Sequence, residues 1–510
     1  MRNSIFFLFI VFVLSLTSCR EDFDFERSSG GLEFSRDTVY LDTVFSNIGS
    51  STYTLKVYNR SSKDISIPAI QLEKGLASKY RMMVDGMQGN QGKIFNNVEL
   101  LAKDSLYIFI ETTANIADAN ADDFLYTDRI MFDSGTNEQA VNLVTLIQDA
   151  YFIYPNRENG VYDSVDFGED ENGEVTKIRG RTLVDNHPIN GNEFVWGNTK
   201  PYVIYGYASV PASQTLTVNA GARIHFHADS GIIVQDGGSL KINGEKSTPG
   251  TLDKEVIFEG DRLEPSFSDS PGQWGLIYLR QGSRENSATN LTLKNATVGF
   301  YTFGNNGLDN PTADLTLKNV QIYNSANAGI FAQGSYITGE NVVINLAGNA
   351  SLFCNLGGKY NFTNSTFNNN WSGTQKYAVR IDNYINDGEL TYPLVDTKFE
   401  NCIIYSSNTS GLLIDKKESA NPFNYTFTKC LIKLSTAPNV VNNPLYAFMA
   451  DATNIIQNKN PEFLDANKNK LQIGPDSPAK GTGTNIGGED ILGQPRNSPS
   501  DLGAYNFTLE

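Results

Sequence analysis

Between residues 32 and 153 apolar and polar positions alternate in short runs. Thr38-Val39-Tyr40-Leu41, Tyr53-Thr54-Leu55-Lys56-Val57, Leu106-Tyr107-Ile108-Phe109-Ile110 and Arg129-Ile130-Met131-Phe132 are the clearest. Successive strand side chains point to opposite faces, so this alternation predicts half-buried strands, and several in succession predict a β-sandwich. An acidic stretch then interrupts the pattern, with Glu169-Asp170-Glu171-Asn172-Gly173-Glu174 at its centre. Its spacing is not that of an EF-hand loop, and 154–194 reads as a solvated acidic linker or a hairpin.

Further on, six segments share the form [Leu/Phe]-x-Asn-x-x-[large apolar]. They are Leu293–Val298, Leu317–Ile322, Gly339–Ile344, Phe362–Phe367, Phe399–Ile404 and Phe427–Ile432, with slips at Gly339 and Lys429. Their third positions fall at 295, 319, 341, 364, 401 and 429, giving steps of 24, 22, 23, 37 and 28. The shorter steps suit one coil of a parallel β-helix, and the longer ones imply inserted loops. Asn tolerates the left-handed backbone of a tight bend, and stacked Asn side chains can bond to one another from coil to coil. Beyond each Asn the first and third residues should point inward: Ala296/Val298, Val320/Ile322, Val342/Ile344, Ser365/Phe367, Cys402/Ile404 and Cys430/Ile432.

A second strand recurs after each of four bends, as Gly329–Gln333, Ser351–Asn355, Ala378–Asp382 and Gly411–Asp415. Its expected inward columns are Ile330/Leu352/Val379/Leu412 and Ala332/Cys354/Ile381/Ile414. Cys354, Cys402 and Cys430 therefore all land inside, as buried apolar thiols rather than redox or ligand groups.

Three resemblances extend this reading. Ser105 to Glu111, after the polar turn Ala102-Lys103-Asp104, resembles a late strand of immunoglobulin-like modules of the Hydin type. Thr215–Val218, Ala220–Ile224, Leu240–Gly244 and Gly272–Ile277 resemble the first coils of right-handed β-helix surface proteins in the pectate-lyase-like superfamily. The tail, with Gly474-Pro475-Asp476-Ser477-Pro478-Ala479 and Asp501-Leu502-Gly503-Ala504-Tyr505, resembles the closing segment of exported bacterial β-helix proteins. The expected fold class is all-β: an immunoglobulin-like sandwich over 32–153, then a right-handed parallel β-helix over 195–510. This architecture carries lyases, hydrolases, adhesins and inert scaffolds, so it does not fix a reaction.

The first residues read as an export signal. Arg2 precedes an apolar run, Ile5 to Leu14, that is too short to span a bilayer. Leu16-Thr17-Ser18-Cys19 resembles the bacterial lipobox, which implies a signal peptide over 1–18, acylation of Cys19 and a tether over 19–31. Arg20-Glu21-Asp22 resembles a surface-sorting signal of Gram-negative lipoproteins, so the implied place is the outer membrane, facing outward. A net charge of −17 and a pI near 4.7 argue against nucleic acid as a partner.

Chemistry concentrates on one expected outward column, Gln333, Asn355, Asp382 and Asp415. Neighbouring coils lie ~4.8 Å apart, so Asp382 and Asp415 should be near neighbours, with Arg380 on the same strand and Lys416 and Lys417 beside them. Loops at 384–396 and 416–426 would wall that face. Paired carboxylates with an Arg suit a calcium-assisted polyuronate lyase, in which Asp382 and Asp415 hold the metal and a base removes a proton. A glycosidase would set two carboxyl groups across the scissile bond. The alternative is two solvated aspartates sharing Arg380 and the lysines as counter-ions. Trp371, Tyr377, Tyr384 and Tyr392 could stack on sugars or cap the core. His225 and His227 read as surface imidazoles on an early coil. The leading functional expectation is non-catalytic binding of a glycan or partner protein through the β-helix flank, and the second is a polysaccharide lyase acting on an acidic glycan.

Overall fold

The computed structural model describes residues 24–508, apart from 122, 134, 170–172, 249, 305–306 and 386–387. The expected signal peptide and Cys19 lie outside the described residues. The protein is all-β and divides into two compact units, 1–149 and 150–510.

In the first unit, alternation builds two sheets over one core. A four-stranded sheet runs in the order Glu33–Phe34, Tyr53–Tyr58, Ser105–Thr112, Tyr80–Val84. A six-stranded sheet faces it, and Leu55, Val57, Ile108 and Ile110 of the former pack with Ile67, Ile70, Ile130 and Val141 of the latter. Two expected boundaries move. Glu26–Arg27, expected in the tether, pairs in parallel with Ile65–Ser66. Tyr151–Ile153, expected at the sandwich's end, pairs with Tyr202–Ile204 in the second unit. Glu26–Arg27 is a two-residue polar strand and Tyr151–Ile153 a short apolar run, and neither carries a mark of which sheet it joins.

The second unit is a coil of parallel strands. The chain alternates between a seventeen-stranded and a ten-stranded sheet, laying each strand in parallel beside its predecessor, as in Leu315–Ser325 with Tyr336–Ala347 and Ala328–Gln333 with Ala350–Asn355. The expected inward columns pair in register: Ile330↔Leu352↔Val379↔Leu412 and Ala332↔Cys354↔Ile381↔Ile414. All of these are buried, and so are the free thiols of Cys354, Cys402 and Cys430. Burial raises the thiol pKa of Cys354 and Cys430 well above the ordinary value, so these groups stay neutral.

The bends follow the expected chemistry. Asn319, Asn341, Asn364 and Asn401 have φ of 54°, 54°, 48° and 54°, and Lys429, which stands in for Asn, has 52°. Asn341 Nδ2 donates to Asn319 Oδ1 at 2.8 Å, and Asn401 Nδ2 to Asn364 Oδ1 at 3.0 Å. The first repeat is out of frame. Asn319 stacks on Asn290, while Asn295 bonds with Asn324 at another bend, and Ala296 pairs with Trp274 in the other sheet. Asn290 and Asn295 both take positive φ, and the template prefers Asn295 because Ala288 stands where it asks for Leu or Phe before Asn290.

The 154–194 stretch is no free linker. Ser164–Glu169 and Val175–Thr182 form a hairpin whose second strand pairs with Tyr207–Val210, opening the ten-stranded sheet. Arg181 Nη1 donates to Glu193 Oε2 at 2.8 Å, which anchors its end. After the last coil the tail returns over the outer face of the large sheet. Leu471, Ala504 and Tyr505 cover Tyr323 and Val343, and Ile473, Ala479 and Leu502 cover Ile403 and Leu431.

Candidate functional site

The polar column forms in the expected register but is not an open face. Gln333 pairs with Asn355, and Asp382 with Asp415. A chain of bonds runs along it: Tyr301 Oη donates to Gln333 Oε1 at 2.6 Å, Gln333 Nε2 to Asn355 Oδ1 at 2.8 Å, and Asn355 Nδ2 to Asp382 Oδ1 at 2.6 Å. The Leu356 backbone N–H also donates to Asp382 Oδ1, at 3.1 Å. Asp382 Oδ2 makes no hydrogen bond among the described residues, and Arg380 Nη2 lies 3.4 Å away at ion-pair distance. The Arg380 guanidinium sits over the Phe353 ring, 4.3 Å from its centroid.

Asp382 is 1% exposed, not a solvated carboxylate. The insertion after it folds back across the column: Tyr384–Ile385 pairs with Leu390–Thr391, and Asn355 Nδ2 donates to the Tyr384 carbonyl at 3.1 Å. Burial pushes the Asp382 pKa up to about 6, against the Leu356 N–H and Arg380, which favour the charged form. Asp415 stays partly exposed and accepts from Tyr384 Oη at 2.6 Å. That bond, with burial second, lifts the Tyr384 pKa to about 12.

These residues do not fit the expected calcium site. Calcium wants about six to eight oxygens, and a buried carboxylate whose better-placed oxygen already accepts twice has little to give. Among the described residues no group of three His, Cys, Asp or Glu side chains gathers as for a metal. The sequence placed the aspartates side by side correctly, but it gave no sign that the insertion would lie over them.

A cavity lies elsewhere, lined mainly by the strands Leu394–Glu400 and Phe423–Thr428 and the short helix Pro444–Ala450, and Arg380, Asp382 and Asp415 are not among its lining residues. Asp396 and Thr397 lie beside Phe423, Asn424 and Tyr425 on paired strands, and Lys416 with Leu445 and Phe448 completes the lining, around about 480 Å³. Its apolar lining is held in place by ring contacts: Phe448 stacks on Phe427 at 4.6 Å and meets the Tyr425 ring edge-on at 5.9 Å. Tyr425 Oη donates to the Leu445 carbonyl at 2.5 Å, so this tyrosine is fixed. Asp396 and Lys416 put opposite charges at the rim. Of the four aromatics expected near the loops, Tyr384 is tied to Asp415, Tyr392 is 46% exposed and Tyr377 lines a separate cavity with Tyr446. Trp371 sits half-buried, its carbonyl accepting from Asn408 Nδ2. Phe423 and Tyr425 were missed because 416–426 reads as an insertion, whereas Phe423–Thr428 is a strand; the available signal was their spacing of four and two residues from Phe427 on its inward face.

The histidines divide. His225 is buried, with Nδ1 3.7 Å from Glu259, and burial lowers its pKa. His227 is exposed, with Nδ1 2.8 Å from Asp261 and its ring stacked on Tyr205 at 4.3 Å. The expectation of two surface imidazoles therefore holds for His227 and fails for His225.

No known protein family matches the chain, and no curated protein matches it. Among solved structures it is similar to the E. coli chaperone DraB, at 14% identity over 28% of this chain and 61% of that one, with a TM-score of 0.16. It is also similar to PapD-like domain 7 of human CEP192, at 13% identity over 24% of this chain and 88% of that one, with a TM-score of 0.16. A third similarity is to the catalytic unit of the GH87 α-1,3-glucanase of Streptomyces thermodiastaticus strain HF3-3. It has 12% identity over 75% of this chain and 74% of that one, with a TM-score of 0.29.

Proposed function

We propose that this chain is a lipid-anchored outer-membrane protein, facing outward, that binds a glycan or a partner protein through the flank of a right-handed parallel β-helix. In this reading Cys19 carries the acyl groups and the first unit is an immunoglobulin-like sandwich. The observation that carries the binding function is the cavity lined by Phe423, Tyr425, Leu445 and Phe448 at the last coils. It offers aromatic and aliphatic surface with a few convergent polar groups, which is how ligand sites are ordinarily built. Of the nearby carboxylates, by contrast, Asp382 is buried and accepts internal bonds, and the partly exposed Asp415 is tied to Tyr384.

A polysaccharide lyase is the second reading, and one observation favours it: a carboxyl group titrating near pH 6 beside a guanidinium, at Asp382 and Arg380. One screen separates the two. Purified protein is presented with a panel of polysaccharides while binding and the absorbance of unsaturated product are followed together. Binding without product, weakened by Phe423→Ala, supports the binder. Product formation abolished by Asp382→Asn supports the lyase. Placement is tested by Cys19→Ala, which should release the protein from the membrane fraction, and by protease shaving of intact cells.

A further inference from the structure

The four-stranded sheet of the first unit buries one face and leaves the other to solvent. Across the open face, strand pairing lines up Thr54, Phe109 and Met83 in one row, and Glu111 with Arg81 in the next. Phe109 and Met83 are each 39% exposed and Tyr107 is 45% exposed, although each alternates with a fully buried neighbour. Large apolar groups kept in water on adjacent strands are uncommon unless they meet something.

The face is not flat. After Val84 the chain curls back as a loop, held by Met82 N–H donating to the Gly92 carbonyl at 2.7 Å and Val84 N–H to that of Met87 at 3.1 Å. The curl depends on Gly89, whose φ is +55° and where a Cβ would lie 2.6 Å from the Ile94 carbonyl. Gln88 and Gln91 on this loop face Phe109, Arg81 and Glu111 across a cleft of about 530 Å³.

We infer that this cleft is a second binding site, independent of the β-helix flank, for a neutral oligosaccharide. Arg81 Nε donates to Glu111 Oε2 at 2.9 Å and Thr52 Oγ1 donates to Glu111 Oε1 at 2.5 Å, so the one carboxylate and one guanidinium neutralise each other. A charged ligand would have to break that pair. An uncharged ligand with an apolar face and many hydroxyls fits the Phe109 ring, the Met83 thioether and the amides of Gln88 and Gln91, and a pyranose has that make-up. A peptide adding as a strand fits poorly, because the bonds to Gly92 and Met87 already occupy the edge at the cleft.

The test uses the full chain, with soluble neutral gluco-, xylo-, manno- and galacto-oligosaccharides read by saturation-transfer NMR and calorimetry. At least one series should bind. Phe109→Ala should weaken it roughly tenfold or more, and Gln88→Ala/Gln91→Ala, which leaves the sheet intact, should also weaken it, with the thermal midpoint unchanged. No binding by any series overturns the site, and so does binding that survives both variants. Binding lost in Phe423→Ala but kept in Phe109→Ala sinks this site while sparing the β-helix flank. A peptide whose binding depends on Phe109 would overturn the sugar assignment.

Discussion

The inner and outer columns of the second unit stand on different sheets of the same coils, and they answer to different forces. The inner column is a stack of like against like: Phe362 on Phe399 at 5.7 Å and Phe399 on Phe427 at 5.2 Å, with ring planes 17° and 10° apart. Phe399 meets its own kind above and below, Phe362 rests on Gly339, and burial follows from the register. The outer column, from Gln333 to Asp415, has equal register but different partners at every level. Whether its members meet water depends on loops that the repeat does not encode. Register is local and periodic, whereas exposure is decided by whatever folds over it.

The largest effect should come from breaking the inner column. Phe399→Ala leaves a cavity between two fixed rings and should cost about 3–5 kcal/mol in denaturant unfolding of the full chain. A loss under about 1 kcal/mol would mean that the stack collapses to fill the gap.

Next comes the buried carboxyl of the outer column. The Asp382 pKa is raised from 3.8 to about 6 in the folded state, so the folded chain binds this proton more tightly than the unfolded one. Stability from this group is full below about pH 4 and is lost as pH rises through about 6, by on the order of 2–3 kcal/mol. Asp382→Asn should remove that slope, read as the difference between wild-type and variant stability across the window. A slope that persists in the variant belongs to another group.

The bend at Asn401, between Leu394–Glu400 and Ile403–Ser406 of the larger sheet, should be intermediate. Asn401→Ala puts a Cβ residue at φ 54° without amide bonds to Asn364 and to the Thr484 carbonyl, at about 1–3 kcal/mol. Asn401→Gly should recover the part due to backbone strain. Smallest is Tyr384→Phe, which removes the bond to the partly exposed Asp415, for about 0.5–1.5 kcal/mol. The same change should leave the pH dependence through Asp382 in place.

Those magnitudes run parallel to what the sequence made legible. Inward columns were readable because a period of two within strands and a recurring Asn between them leave one register that buries every apolar residue. Lys429 shows the strength of that rule, since it takes the left-handed bend without being Asn. The frame at Asn295 misled because Asn290, five residues earlier, is the true bend but carries Ala288 where the template asks for Leu or Phe. Asp382 was placed in the right column and on the right neighbour, but its cover is a hairpin without a repeat of its own. The cleft beside Phe109 was invisible for a related reason: alternation marks Phe109 as outward and cannot say that a glycine-dependent loop rises next to it.

The returning tail has a consequence for the order in which the chain can assemble. Asn341 Nδ2 donates to the Glu489 carbonyl and Asn401 Nδ2 to that of Thr484, contacts that span 148 and 83 residues. Coils can add one upon the next by short-range closure as the polypeptide is made, because each strand needs just its predecessor. The greasy outer surface at Val343, Ile403 and Leu431 must wait for Leu471 to Tyr505 to arrive. Until then a nascent chain holds a finished spiral with an uncovered flank, and long-range closure of this kind is slow. The tail is thus a late latch, and the interval before it shuts is when this protein is most exposed to misassembly.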